Sequence, residues 1–289
     1  MTDFSNKLSG KNISENDQLR SQYMHRIIRK GNKDVPKSGA PVIPYLLVQY
    51  WNDLTAIPSD VQKCIDSWKL LEKDGFKRLL FDDKSAKKFI KHNFDTRHLK
   101  AFNNCNHPAM RSDYFRLCFI LINGGFYVDA DDIYRGVSFK SYFNNQRLKL
   151  QPLCYNILTS SMVKISDAIL APYDSRKLIF YANNNPIISP SNHPVIYMAL
   201  KRATQILYQD KGGKQDIQSM TGPGNLTISL VQYAIKNSQD SNTSHYEFIA
   251  DWDEIAFSQW PLEYRFDKRN WRLWNGLDTK VKKRKGDIK

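Results

Sequence analysis

Apolar residues begin to recur in an ordered way at residue 42. Val42-Ile43-Pro44-Tyr45-Leu46-Leu47-Val48 is a compact run long enough for a buried strand. Val61, Ile65, Trp68 and Leu71 then follow at helical spacing, with Ser59 placed to cap the helix. Asp74-Gly75 ends that helix, Phe76 to Phe81 reads as a second strand, and Ser85 to Lys91 as a short helix. Pro108 suits a first helical turn, and Met110, Tyr114, Leu117, Cys118 and Leu121 trace one stripe along the helix after it. Asn123-Gly124-Gly125 stops the helix, and the short strand Phe126-Tyr127-Val128 runs into Asp129-Ala130-Asp131-Asp132. Upstream of all this, Gln18 to Lys30 predicts a short helix and Gly31 to Pro41 a linker.

The second half is less regular. Segments between 155 and 188 read as strands, and His193 to Gln209 as a helix with Pro194 in its first turn. Gly222-Pro223-Gly224 breaks the chain before a helix from Leu226 to Lys236, and the aromatic-rich stretch 245–274 reads as strands or packed loop. No internal repeat is present. The strand–helix–strand–helix order predicts an α/β domain with a parallel sheet, whose ligands bind beyond the C-terminal strand ends. The expected organisation is a poorly ordered or helical extension (1–40), one domain (41–279) and a basic tail (280–289).

Composition adds limits. Apolar residues make up 41% and charged residues 25%, which fits a folded globular chain. No run approaches the roughly 18 apolar residues a bilayer crossing needs, and the first 30 residues lack the apolar core of an export signal. A cytoplasmic location, peripheral to the inner face of a membrane if the tail binds lipid, is the expectation. Of the +14 net charge, residues 1–40 carry +4 and residues 280–289 carry +5, so the body holds only +5. That distribution argues against nucleic acid as a partner, and no nucleic-acid-binding motif accompanies it. The Lys282-Lys283-Arg284-Lys285 tail reads either as a tether to an anionic membrane surface or as a solubilising end; deleting 280–289 distinguishes them by vesicle binding. Cys64, Cys105, Cys118 and Cys154 form no C-x-x-C pair, and His92 and His98 lack companions at zinc spacing.

The chemistry centres on the acidic strand end. Alternate residues of an extended segment point the same way, so Asp129 and Asp131 can converge on one hard cation, Mn²⁺ or Mg²⁺. On the preceding helix, Arg111, Asp113 and Arg116 lie within two turns, with Asp113 and Arg116 on one face. Such a group suits a metal-bound diphosphate: cation for phosphate, carboxylate for hydroxyls. A solvated acidic turn and a surface ion pair are the plain alternatives.

The stretch Ala109-Met110-Arg111-Ser112-Asp113-Tyr114-Phe115-Arg116, followed by Asn123-Gly124-Gly125-Phe126-Tyr127-Val128-Asp129-Ala130-Asp131, resembles a known signature, A-x-R-S-D-x-x-R … G-G-x-Y-x-D-x-D. It marks the DXD-motif sugar transferases of glycosyltransferase family thirty-two, which include the yeast initiating α-mannosyltransferase and bacterial polysaccharide galactosyl- and glucosyltransferases. The clostridial glucosylating toxins share the core pattern. Ile43 to Trp51 is similar to the family's I-P-K-x-I-H-Q-x-W strand, with Leu47 and Val48 in place of Ile-His. Pro58, Ser67-Trp68, Gly75 to Asp83 and Thr221-Gly222-Pro223 also match the family's spacing.

The resemblance implies a GT-A-type nucleotide-sugar-binding fold: a mixed, mainly parallel sheet flanked by helices, with an irregular C-terminal part. It implies that Asp131 ligates the metal directly, and that Asp129 contacts the ribose and reaches the metal through water. Asp113 and Arg116 would hold the donor's hydroxyls and phosphate side, Tyr127 would lie near the donor, and Gln49 and Trp51 would border the base; Trp51 reads equally as core. The implied activity is metal-dependent, retaining transfer of a hexose from UDP-glucose, UDP-galactose or GDP-mannose to a glycan or lipid-linked saccharide. The alternatives are a toxin-like effector that glycosylates a host protein and a basic nucleic-acid-binding protein. Asn183-Asn184-Asn185-Pro186 and His193-Pro194 resemble an acceptor-side segment, although a helix start explains His193-Pro194. His245 and Trp252 fit a C-terminal lid, while packed core is expected for most of Trp252, Trp260, Trp271 and Trp274.

Overall fold

Pro44 sets where the first strand begins. It has no N–H for a ladder, and the N–H groups of Val42 and Ile43 donate instead to the Phe143 carbonyl (2.8 and 3.0 Å). Strand β1 is therefore Leu46–Tyr50, later than the apolar run suggests. The computed structural model describes residues 16–32, 42–170, 172–237 and 245–274. The basic tail and most of the linker 31–41 lie outside the described residues.

Helix α1 (Asp17–Arg29) precedes β1 and is bonded to the sheet, since Ser21 Oγ accepts from the N–H of Phe180 at 2.9 Å. Helix α2 (Ser59–Ser67) starts one residue earlier than a Ser59 cap requires: Pro58 holds the cap position and Ser59 is the first helical residue. A 3-10 helix (Trp68–Asp74) continues it until Gly75 turns left-handed, and strand β2 (Lys77–Phe81) follows. Helix α3 (Asp83–Asn93) has a capping box of Asp82 and Ser85. Helix α4 (Thr96–Asn103), which the periodicity did not predict, is capped by Asp95. Helix α5 (Pro108–Asn123) has His107 as its N-cap, Nδ1 accepting from the Ala109 N–H at 3.1 Å.

Strand β3 (Gly125–Tyr127) and strand β4 (Asp132–Tyr134) flank the acidic segment. Strands β5 (Leu148–Asn156), β6 (Ser161–Val163) and β7 (Leu178–Ser189) follow, then helices α6 (Pro194–Gln209) and α7 (Pro223–Lys236). The end of the described chain is irregular, with only strands β8 (Tyr246–Phe248) and β9 (Ala256–Ser258) and short helical turns.

The main sheet runs β2-β1-β3-β7-β5-β6, with β8 also on β5. Strands β2, β1 and β3 are parallel, as is the β5–β8 pair; β7 is antiparallel to β3 and β5, and β6 to β5. It is the mixed α/β sheet flanked by helices that the sequence predicts. Strand β9 pairs antiparallel with β4 in a separate ribbon.

Side chains alternate across the sheet. Tyr127 enters the core under α5, α6 and α7, and its neighbour Phe126 enters the opposite core around Trp68, Phe139 and Phe143. Gly125 makes the close approach of β3 to β1 possible. Its φ is +100°, and a Cβ there would lie 2.5 Å from the Leu46 carbonyl oxygen. Among the described residues, no helix is long and apolar enough to cross a membrane.

Candidate active site

The parallel strands end on one side of the sheet, and a cavity of about 1280 Å³ opens there. Its wall takes Trp51 from the end of β1, Asp129 to Asp132 after β3, Asp113 and Arg116 from α5, and Asn183 to Asn185 from β7. This is where a sheet of this kind offers the most ligand-binding backbone and loop.

Asp113 and Arg116 sit one turn apart on α5 and are both buried. Arg116 Nη2 lies 3.0 Å from Asp113 Oδ1 and donates to Asp129 Oδ1 at 2.7 Å. Its Nη1 donates to the Asn184 carbonyl at 2.5 Å, and its guanidinium stacks 4.2 Å over the Tyr127 ring. The Nε is buried without an acceptor. Asp113 accepts from Asn184 Nδ2 at 2.8 Å and from Thr221 Oγ1 at 3.2 Å. Burial raises its carboxyl to about 6, against the pull of Arg116. Thr221-Gly222-Pro223 is thus drawn into the site. A Cβ at Gly222 would stand 3.0 Å from the Ile217 carbonyl and 3.4 Å from Asp113 Oδ2, so glycine lets the backbone pass there.

The asparagines reach the site through a fault in the sheet. Pairing jumps from Leu150↔Ile187 to Pro152↔Ala182, so residues 183–186 bulge from β7 opposite Gln151. The bulge turns Asn184 toward Asp113 and Asn185 toward the acidic segment. Asn185 Oδ1 accepts the Asp129 N–H at 2.9 Å, and its Nδ2 donates to Asp132 Oδ2 at 2.8 Å.

The acidic segment is a turn and not the extended strand expected, because β3 stops at Tyr127 and the Asp132 N–H donates to the Asp129 carbonyl (3.3 Å). Asp129 and Asp131 consequently hold different partners. Asp129 takes Arg116 and, at 3.0 Å, the Tyr127 hydroxyl. Asp131 Oδ2 accepts from Tyr264 Oη at 2.6 Å and from Arg265 Nη2. Desolvation raises Asp129, opposed by Arg116 and reinforced by Asp131. Burial raises Asp132 far more, with the Asp131 and Asp129 charges adding to it.

These residues fit a hard divalent cation. Asp132 Oδ1 is buried with no hydrogen-bond donor, beside two further carboxylates that repel it. No group of three or more His, Cys, Asp or Glu among the described residues closes a protein-only metal site. The donor set is that of a Mg²⁺-type ion bound by one or two carboxylates, with phosphate and water completing its shell.

Other expected residues take supporting positions. Gln49 is buried, its Nε2 donating to the Asp129 carbonyl at 3.3 Å, and it does not line the cavity. Tyr127 is also fully buried, its hydroxyl 2.6 Å from Ser112 Oγ. Trp51 does line the cavity and packs edge-on against Tyr264 (centroids 5.3 Å apart). Arg111 turns away to Asp83 Oδ1 at 2.8 Å. His193 caps α6, with Nε2 2.9 Å from the His245 carbonyl oxygen. His245 itself bonds Tyr233 Oη at 2.6 Å, and Trp252 is core beside Trp68 and Phe126. Neither forms a lid.

Sequence reasoning missed the residues that do cross the cavity. Trp260 is 51% exposed rather than packed, and Arg265 stacks on it at 3.7 Å. The β4–β9 pairing brings this segment in, and the Gln259 N–H donates to the Asp131 carbonyl at 2.9 Å.

Residues 58–147 match the family model described as glycosyltransferase sugar-binding region containing DXD motif. That span holds Asp113, Arg116, Asp129 and Asp131. The chain is 23% identical over 204 residues to an uncharacterized glycosyltransferase of Acanthamoeba polyphaga mimivirus, covering 68% of each chain. A solved structure, the PaToxG glycosyltransferase, superposes with a TM-score of 0.45 at 18% identity, covering 80% of this chain and 84% of the other.

Proposed function

From the match of residues 58–147 to the DXD-motif glycosyltransferase family model, we propose that the chain is a DXD-motif glycosyltransferase that moves a hexose from a nucleotide sugar to a glycan or lipid-linked saccharide, with a divalent cation and with retention of configuration. UDP-glucose, UDP-galactose and GDP-mannose are the donors that suit the reading. The observation that supports it most is the carboxylate cluster at the strand ends, with its unpartnered Asp132 Oδ1 beside Arg116-bound Asp129.

Asp131 and Asp129 would hold the cation, with Asp132 Oδ1 adjacent. Bound there, the ion would supply positive charge against the departing diphosphate. The chain's own groups orient the sugar. Asp113 already takes Asn184, Thr221 and Arg116, which leaves about one of a carboxylate's four lone-pair positions for a donor hydroxyl. Arg116 keeps Asp113 and Asp129 in register, and the Trp51 face borders the base. No carboxylate is assigned as nucleophile, so a front-side, oxocarbenium-like route is the proposed course.

A panel of nucleotide sugars with Mn²⁺, scored by thermal shift and nucleotide release, tests this. One donor should be turned over, EDTA should stop it, and folded Asp131→Ala should lose turnover; unchanged turnover in that variant sinks the proposal. Label transferred to protein in a lysate, and not to saccharide or lipid, would move the reading to a toxin-like effector.

A further inference from the structure

We propose that Arg265 is an exchangeable counter-ion of the acidic motif, neutralising Asp131 until a divalent cation takes that carboxylate and then serving the donor's diphosphate. The inference rests on the donor-site reading above and adds a residue to it.

Arg265 lies 134 positions from Asp131 in sequence, yet its Nη2 donates directly to Asp131 Oδ2. Its side chain is 6% exposed. A guanidinium carries five N–H donors in a fixed fork. Besides Asp131, its guanidinium donates to Ser258 Oγ at 3.4 Å, and its Nε is buried without any acceptor. A buried, half-satisfied cation at the cavity wall calls for a further anion. Trp260 holds the guanidinium plane by stacking and leaves the fork free to turn.

The surrounding charges point the same way. Arg269 is already used on Asp267 at 2.7 Å. Arg272 lies 5.7 Å from the Trp260 ring centroid and makes no ion pair among the described residues. Burial and the Arg265 charge both make Arg272 harder to keep protonated. Arg265 and Arg272 therefore face the cavity with Asp131 as their near carboxylate. A cation on Asp131 would compete with Arg265 for the same oxygen, and a diphosphate would give both arginines the partner that exchange removes.

The test compares wild type with Arg265→Met, which keeps the stem over Trp260 but loses the charge, and with Arg265→Lys. Mn²⁺ binding without nucleotide is followed by the electron paramagnetic resonance of the free ion, and UDP and GDP binding at saturating Mn²⁺ by calorimetry. Arg265→Met should bind Mn²⁺ about fivefold or more tightly, because a competing unit charge at contact distance is gone. It should bind the diphosphates about tenfold more weakly. Arg265→Lys should keep wild-type Mn²⁺ affinity and lose part of the diphosphate affinity.

A folded Arg265→Met with Mn²⁺ affinity equal to or weaker than wild type overturns the proposal. If that variant does not fold, unchanged diphosphate affinity in Arg265→Lys overturns it instead. Wild type that binds Mn²⁺ and a diphosphate while the variants match it removes this inference alone. Wild type that binds neither removes the donor-site reading as well.

Discussion

Asn185 ties the β7 bulge to both Asp129 and Asp132, and replacing it gives a prediction with a worked size. Asn185→Ala strands the Asp129 N–H, now bonded at 2.9 Å, and strips Asp132 Oδ2 of its 2.8 Å donor. Asp132 Oδ1 already has no partner, so the buried carboxyl would be left with the Ser258 hydroxyl as its remaining side-chain donor. A lost bond to a buried amide costs about 1–3 kcal/mol and one to a carboxylate about 1.5–3 kcal/mol. Allowing for water in the space left behind, about 3 kcal/mol in total is expected. For a chain of this size that lowers Tm by about 5 °C.

Turnover should fall further than stability, by about a hundredfold, because Asp129 would lose the anchor of its own backbone. Asn185→Asp sharpens the test. It preserves shape but sets a second carboxylate against Asp132, and two such groups in contact cannot both ionise. One keeps its proton in the folded state, so the Tm deficit against wild type should grow as pH rises and shrink below about pH 5. Melting curves across pH, with nucleotide release at saturating donor, read both effects. A wild-type Tm and turnover in Asn185→Ala, or a pH-independent deficit in Asn185→Asp, would refute the reasoning.

Asp113 predicts a pH profile. Burial raises its carboxyl from 3.8 to about 6, so the fold favours the protonated form. Its ionisation costs about 3 kcal/mol of stability, absent below about pH 4 and complete above about pH 6. The ionised form is the better acceptor for hydroxyls, so kcat/KM should rise through about pH 6; a profile flat across that range, or an inflection that survives Asp113→Asn, would contradict the assignment. Gly125→Ala should destabilise the protein by several kcal/mol, about 3 or more, because the new Cβ meets the Leu46 carbonyl at 2.5 Å. Gly136→Ala is the control: its φ is +80° but nothing lies within 4 Å, so only about 1 kcal/mol of backbone strain is expected in urea melts.

The sequence carried the part of the site that is local. Asp113 and Arg116 sit one turn apart on α5, and Asp129 and Asp131 in the turn just after β3, so chain order brings them near one another, while their different partners were not legible from spacing. Asp132 gives no signal of its own in the sequence, because its burial at the start of β4 depends on tertiary packing. The Asn183-Asn184-Asn185-Pro186 segment stood out in the sequence, but its use depends on the register jump in β7, which no periodicity reveals. Trp260 and Arg265 were invisible for another reason. An aromatic-rich stretch reads as core by default, and only the pairing of β9 with β4 shows that this one crosses an opening. Helix α4 escaped because its apolar stripe is short, although Asp95 is an ordinary cap signal before it.

The 134-residue separation between Asp131 and Arg265 also bears on time. Strand β3 follows helix α5 directly and pairs with β1 across 79 residues (Leu47↔Phe126), whereas the β4–β9 ribbon joins residues 126 apart (Asp132↔Ser258) and so closes the longer loop. Until it closes, three carboxylates crowd one turn without their second arginine. The ribbon should therefore be the last element to form and the first to open, and the Gln259 amide should exchange with solvent ahead of those in β1. An emerging chain that has reached residue 147 holds the whole family segment and no finished centre; its chemistry waits on residues made more than a hundred positions later.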